Sequence, residues 1–79
     1  MINVEKEDLR LMLIASLRYA LGRNSYIVST ALSWTQKYSK FLTENDKKVI
    51  VEDIMFYKSH ASLGDENDIK IWDEIVKLC

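Results

Sequence analysis

The sequence has few of the residues that form cross-links, take part in catalysis or shape turns: one cysteine, one histidine, two glycines and no proline among 79 residues. The cysteine is Cys79, the last residue, so no disulfide can form within the chain and no zinc ligand set is present. We therefore expect a domain that is held together by its hydrophobic core, in a reducing compartment.

Long apolar runs are also missing. No stretch approaches the roughly 18 residues that span a membrane, and the acidic residues ahead of the first apolar run do not suit the basic start of a signal peptide. Hydrophobic residues make up 48% of the chain, which is well above the level typical of disorder. We expect one folded domain over 1–79, cytoplasmic and without membrane association.

Charge of one sign is not in excess either. The net charge of −1 gives neither the basic footprint of a nucleic-acid binder nor the strong acidity of a protein that imitates DNA. The distribution is uneven, because residues 1–42 carry six Lys or Arg against three Asp or Glu, whereas 43–79 carry five against nine. Either the two halves pair with each other in the fold, or the asymmetry serves a bound partner.

Helix start and stop signals divide the chain into four apolar segments. Gly22 and Gly64 each follow an apolar residue and suit the left-handed conformation that ends a helix. Thr43 with Asp46 forms a near-capping box, and Asp65 can cap the last segment. The prediction is an all-α, compact four-helix domain. The helices are expected at about 4–21, 25–42, 44–62 and 66–78.

The first helix is the most apolar of the four. Ten of the thirteen residues in 9–21 are apolar, which leaves Arg10, Ser16 and Arg18 scattered around the cylinder. A helix without a polar face is typically surrounded by others, so helix one, with Asn3 as its N-cap, is predicted to be the most buried. Three more helices are too few to cover all the large apolar side chains, so we also expect a homodimer. The side chains concerned are Met12, Ile14, Trp34 and Trp72.

The connection between helices one and two brings cations, aromatic rings and free helix N-terminal amides together. The candidate residues for binding a partner or an anion are Arg18, Tyr19, Arg23, Asn24 and Tyr26. A phosphate or carboxylate from outside would fit there. The alternative is a structural ion pair within the chain, with the carboxylate supplied by Asp65, Asp68 or Asp73.

No catalytic constellation is readable. His60 has no nucleophile or acid at a recognisable spacing, and Cys79 has no local base. The acidic run 65–68 lacks the alternating ligands, central glycine and final glutamate of a calcium loop. We expect a protein that is not an enzyme and has no cofactor or metal.

Three segments resemble short proteins that are encoded by phages and mobile elements of bacteria. They are 17–23 (Leu-Arg-Tyr-Ala-Leu-Gly-Arg), 26–29 (Tyr-Ile-Val-Ser) and 63–65 (Leu-Gly-Asp), followed by Asp68 and Trp72. No established activity is attached to that group. Small phage proteins of this size often block a host defence enzyme by stoichiometric binding, as anti-CRISPR proteins do. The resemblance therefore implies a host defence nuclease or effector as partner, in the cytoplasm of an infected bacterium.

Two other functions remain open. The first is a nucleic-acid- or nucleotide-binding module that uses Arg18 and Arg23 with Tyr26, Lys37 and Lys40, and strong salt dependence would identify it. The second is a structural protein that forms homo-oligomers.

Overall fold

The computed structural model describes residues 5–79, which form four α-helices and one short 3₁₀ segment. These are α1 (Lys6–Ala20), α2 (Ser25–Tyr38), the 3₁₀ segment (Ser39–Phe41), α3 (Glu44–His60) and α4 (Glu66–Leu78). No strand occurs within this range, so the predicted all-α four-helix fold is confirmed there. None of its helices combines the length and the hydropathy needed to cross a membrane. The predicted start of helix one at residue 4 and its Asn3 cap lie outside the described residues.

Most helix ends follow the local signals in the sequence. Gly22 and Gly64 have φ of +75° and +112°, a region that residues with a Cβ rarely adopt. Thr43 and Asp46 form the complete capping box of α3. The predicted end of helix two at residue 42 is wrong, because α2 ends at Tyr38. The chain tightens into the 3₁₀ segment, which brings Leu42 to 8% exposure.

The core is built from buried residues of all four helices, with α2 central to the packing. Helix α2 packs between α1 and α4, while α3 and the 3₁₀ segment pack against α1. Trp72 and Ile75 of α4 are fully buried, which makes α4 the helix that closes the core. The other core residues are Leu13, Leu17, Ala20, Val28, Ala31, Leu42, Ile50, Ile54 and Leu63.

Helix one is not the most buried helix, and this prediction is corrected by the structure. Only Leu13, Leu17 and Ala20 of α1 are buried, the same number as in α2 and α4, whereas Leu11 and Met12 are 51% and 55% exposed. The Cα atoms extend only 17 Å along the shortest axis. Three helix layers need roughly 21 to 25 Å, so the domain has two layers and α1 keeps one side open.

Candidate functional site

The turn between α1 and α2 is fixed by its own residues. Gly22 closes α1, and Arg23 N donates a hydrogen bond of 3.0 Å to Ala20 O. Asn24 is the N-cap of α2, with its Oδ1 accepting from Ile27 N at 3.1 Å. One of the free amides that would bind an anion is thus already occupied from within the chain.

Arg18 is directed away from this turn. Its Nε lies 3.0 Å from Asp53 Oδ2 of α3, and both side chains are partly exposed. Arg18 thus pairs within the chain with Asp53, and the predicted partner segment, Asp65 to Asp73, is wrong. Helix α3, and not α4, packs on the flank of α1 that carries Arg18.

Arg23 folds back over α1. Its Nε donates a hydrogen bond of 3.3 Å to Tyr19 O, and its Cζ lies 4.6 Å from the centroid of the Tyr19 ring. Within residues 5–79 no carboxylate forms an ion pair with Arg23. A guanidinium placed over an aromatic ring keeps donors available for another group.

The three carboxylates predicted to meet these arginines lie elsewhere. Asp65 is the N-cap of α4, with Oδ1 3.0 Å from Asp68 N. Asp68 is buried, and its Oδ1 has no hydrogen-bond partner among the described residues. Asp73 is exposed on α4. They belong to the start and outer face of α4 and do not form the predicted pair.

The shortest ion pair among residues 5–79 was not predicted from the sequence. Arg10 Nη1 of α1 donates to Asp46 Oδ1 at 2.6 Å, while Asp46 Oδ2 accepts from Thr43 N at 2.9 Å. The Arg10 guanidinium, together with the Thr43 hydrogen bonds, lowers the pKa of Asp46, and Asp46 raises the pKa of Arg10. Because Asp46 is buried and its two carboxylate oxygens are taken by Arg10 and by the cap of α3, we interpret this pair as structural.

An apolar groove, hereafter the α1–α2 groove, lies between α1 and α2. Its wider part has a volume of about 430 Å³, and a narrower part of about 180 Å³ continues from it, with Trp34 shared by both. The wider part is lined by Ala15, Ser16, Tyr19, Tyr26, Ile27, Thr30, Ala31 and Trp34. The narrower part adds Leu9, Met12, Leu13 and Tyr38.

The edges of the groove carry large side chains that the fold leaves in solvent. Met12, Tyr19, Tyr26 and Trp34 are 55%, 56%, 81% and 45% exposed. Of the side chains from which we expected a homodimer, Trp72 is covered within the chain and Ile14 partly so, whereas Met12 and Trp34 stay open. Tyr19 and Tyr26, predicted as site residues, are brought together here with Arg23 over Tyr19.

Other candidate residues have local explanations. The His60 ring stacks on Phe56 at 4.2 Å between centroids, and its Nδ1 lies 2.9 Å from Phe56 O, which is normal at a helix C-terminus. Burial raises the pKa of the Cys79 thiol, so the thiolate is disfavoured. Within residues 5–79, no group of three or more His, Cys, Asp or Glu is placed to hold a metal ion.

The groove could not be read directly from the sequence, although a signal for it is present. Asp8, Met12, Ala15 and Tyr19 recur at steps of four, three and four, which defines a stripe along one helix face. This stripe does not stand out in the sequence because the opposite face of α1 is apolar too. Only the two-layer packing shows which of the two faces is covered.

Comparison of this chain with protein-family models, with curated proteins and with solved structures finds no significant match.

Proposed function

We propose that this chain is a non-enzymatic binding protein that contacts another protein through the α1–α2 groove. The observation that carries the proposal is the continuous apolar surface around Trp34, open to solvent and edged by Met12, Tyr19 and Tyr26. Exposed apolar patches of this kind on small domains commonly mark interaction sites. Methionine and aromatic residues are also the types enriched in the centres of protein interfaces.

The shape of the groove favours a polypeptide over a small molecule. Most of a small ligand is enclosed when it binds, whereas Tyr26 and Tyr19 stand at the edge with more than half of their surface exposed. A groove between two helices suits an amphipathic helix, which inserts side chains at helical spacing. Arg23, unpaired within residues 5–79, would meet an acidic residue at one end of the groove.

The proposed target is a bacterial host defence protein, which the chain inhibits by stoichiometric binding in the cytoplasm of an infected cell. Support comes from the resemblance of 17–23 and 26–29 to short phage-encoded proteins. Those two segments contain Tyr19, Arg23 and Tyr26, three of the residues at the wider end of the groove. The segment of the resemblance and the exposed apolar surface therefore coincide.

Capture from a bacterial lysate, followed by an activity assay, tests this function. The wild-type chain, a Tyr26→Ala/Trp34→Ala variant and the control Phe56→Ala serve as baits. Phe56 is a matched control, since it is an aromatic residue with 64% exposure on α3, away from the groove. Circular dichroism first establishes that all three are folded.

The proposal predicts that the wild type and Phe56→Ala retain the same defence protein and inhibit it at equimolar ratio. The double variant should lose at least roughly 10-fold in affinity, because it removes two aromatic anchors. Equal capture by all three baits would reject the groove as the site. A captured protein whose activity is unchanged at saturation would reject inhibition.

Nucleic-acid or nucleotide binding remains the second candidate, supported by the placement of cations on aromatic rings. Besides Arg23 over Tyr19, the Nζ of Lys37 lies 5.3 Å from the Tyr38 ring centroid. Rings with adjacent cations can stack bases and contact phosphates. Arg18 is less available for this role because it pairs with Asp53. Titration of a single-stranded oligonucleotide at two salt concentrations tests it, and affinity that does not fall as salt rises would exclude it.

A further inference from the structure

The solvent-facing stripe of α1, formed by Leu11, Met12, Ala15 and Tyr19, is nearly symmetric about Ala15. Ala15, a small exposed residue, has Leu11 four positions before it and Tyr19 four positions after it, each about 6 Å away along the helix axis. Leu11, Met12 and Tyr19 are 51%, 55% and 56% exposed. The stripe thus has two large apolar ends and a low centre, a shape that fits a second helix running in the opposite direction.

The charges at the two ends of the stripe have opposite signs. Asp8 lies on the same face in the first turn of α1, and Arg23 lies over Tyr19 at the other end. Neither forms an ion pair with any residue in 5–79. An antiparallel second copy brings each Asp8 towards the other chain's Arg23, whereas a parallel copy would place like charges together.

We propose that two copies of this chain associate through α1, antiparallel about a twofold axis near Ala15, so that each covers the other's α1–α2 groove. Leu11 and Met12 of one copy then pack against Tyr19 of the other, and the small Ala15 side chains let the two helices approach closely. This rests on the proposed function in taking the groove as a protein-binding surface. It adds that the partner in the free protein is a second copy, which a target must displace.

The proposed dimer interface takes only a small share of the surface of the chain. A standard interface takes about 800 Å² from each partner, roughly a seventh of the 5472 Å² that the chain exposes. Interfaces of this area range from micromolar to picomolar dissociation constants, and we expect this dimer at the micromolar end.

Sedimentation of the full chain over a concentration series tests the association. The wild type should pass from the 9.2 kDa monomer to twice that mass, and Ala15→Arg should stay monomeric because it places two cations at the axis. Met55→Arg is the control: it adds the same charge at a 43% exposed position on α3 and should dimerise like the wild type. A wild-type chain that stays monomeric into the high micromolar range, or equal weakening by both variants, overturns the proposal.

A charge exchange tests the antiparallel arrangement. Asp8→Arg and Arg23→Asp should each raise the dimer dissociation constant by roughly 10-fold, because two pairs change from attraction to repulsion. The double exchange should return it to within roughly threefold of the wild type. Two single effects that multiply in the double variant contradict the antiparallel pairing.

Cysteine trapping gives a second reading of the same geometry. In a Cys79→Ser background, Ala15→Cys should form an interchain disulfide in air, since residues at a twofold axis come within bonding distance. Met55→Cys should not. Failure of Ala15→Cys to cross-link while the wild type sediments as a dimer places the contact elsewhere and overturns the inference.

The two proposals fail separately. If the chain is monomeric and the Tyr26→Ala/Trp34→Ala variant loses target capture, the proposed function stands and the dimer is rejected. If Ala15→Arg disrupts the dimer but Tyr26→Ala/Trp34→Ala leaves target capture unchanged, the dimer stands and the groove is rejected as the target site.

Discussion

Replacing Leu13 and Leu11 by alanine, one at a time, measures directly whether α1 is covered on one side. Leu13 is 2% exposed in the core, and Leu11, two residues earlier, is 51% exposed. Leu13→Ala removes buried methyl groups and leaves a cavity, which costs about 2 to 5 kcal/mol. Leu11→Ala removes side-chain atoms already half in water and should cost about 1 kcal/mol or less.

The expected difference is large relative to total stability. A domain of this length has an unfolding free energy of roughly 4 to 12 kcal/mol, and 2 kcal/mol lowers its Tm by roughly 10 °C. Urea and thermal unfolding followed by circular dichroism, with both changes made in the Ala15→Arg background to remove any dimer, give the two values. Equal losses for Leu11→Ala and Leu13→Ala would refute the two-layer arrangement and restore the surrounded helix.

Three other predictions concern the residues that hold the fold. The Arg10 guanidinium lowers the pKa of Asp46, so the stability that ionised Asp46 contributes is present above the unfolded pKa near 4 and is lost as the pH falls through the lower folded pKa. Asp46→Asn should therefore be less stable than the wild type at pH 7, and this difference in unfolding free energy should shrink on acid titration. A difference that stays constant with pH would contradict the prediction. Arg18→Met and Asp53→Asn should each lower the free energy of unfolding in urea by about 1 kcal/mol or less, since the pair is partly exposed. A larger decrease would show that the pair is less hydrated than its exposure indicates. Gly22→Ala should lower stability by about 1 to 3 kcal/mol because φ is +75°, and an unchanged Tm would mean that the turn relaxes freely.

The fold was predictable wherever a local signal fixes a helix end. Gly22, the Thr43–Asp46 capping box and Asp65 act through their own backbone neighbours, so their effects can be read from sequence order. The end of α2 was predicted less well, because the 3₁₀ segment after Tyr38 depends on Leu42 entering a core that the other helices create.

The candidate site was predictable only in part. Tyr19, Arg23 and Tyr26 were expected to lie together because they flank one turn, and the structure places them at one end of the groove. The partner of Arg18 was predicted wrongly, since Asp53 comes from α3 and helix order alone does not say which helix lies beside which. The Arg10–Asp46 pair joins residues 36 positions apart, and no local pattern marks such a contact.

Quenching of Trp34 fluorescence by acrylamide is the most direct test of the groove as a protein-binding surface. Trp34 is 45% exposed and Trp72 fully buried, so the difference between the wild type and Trp34→Phe isolates the groove tryptophan. Trp34 should be readily quenched in dilute protein, and in Ala15→Arg at any concentration. In the wild type it should become protected as the protein concentration rises or as a captured target saturates the groove. Equal quenching of Trp34 under all these conditions would show that no protein covers the groove.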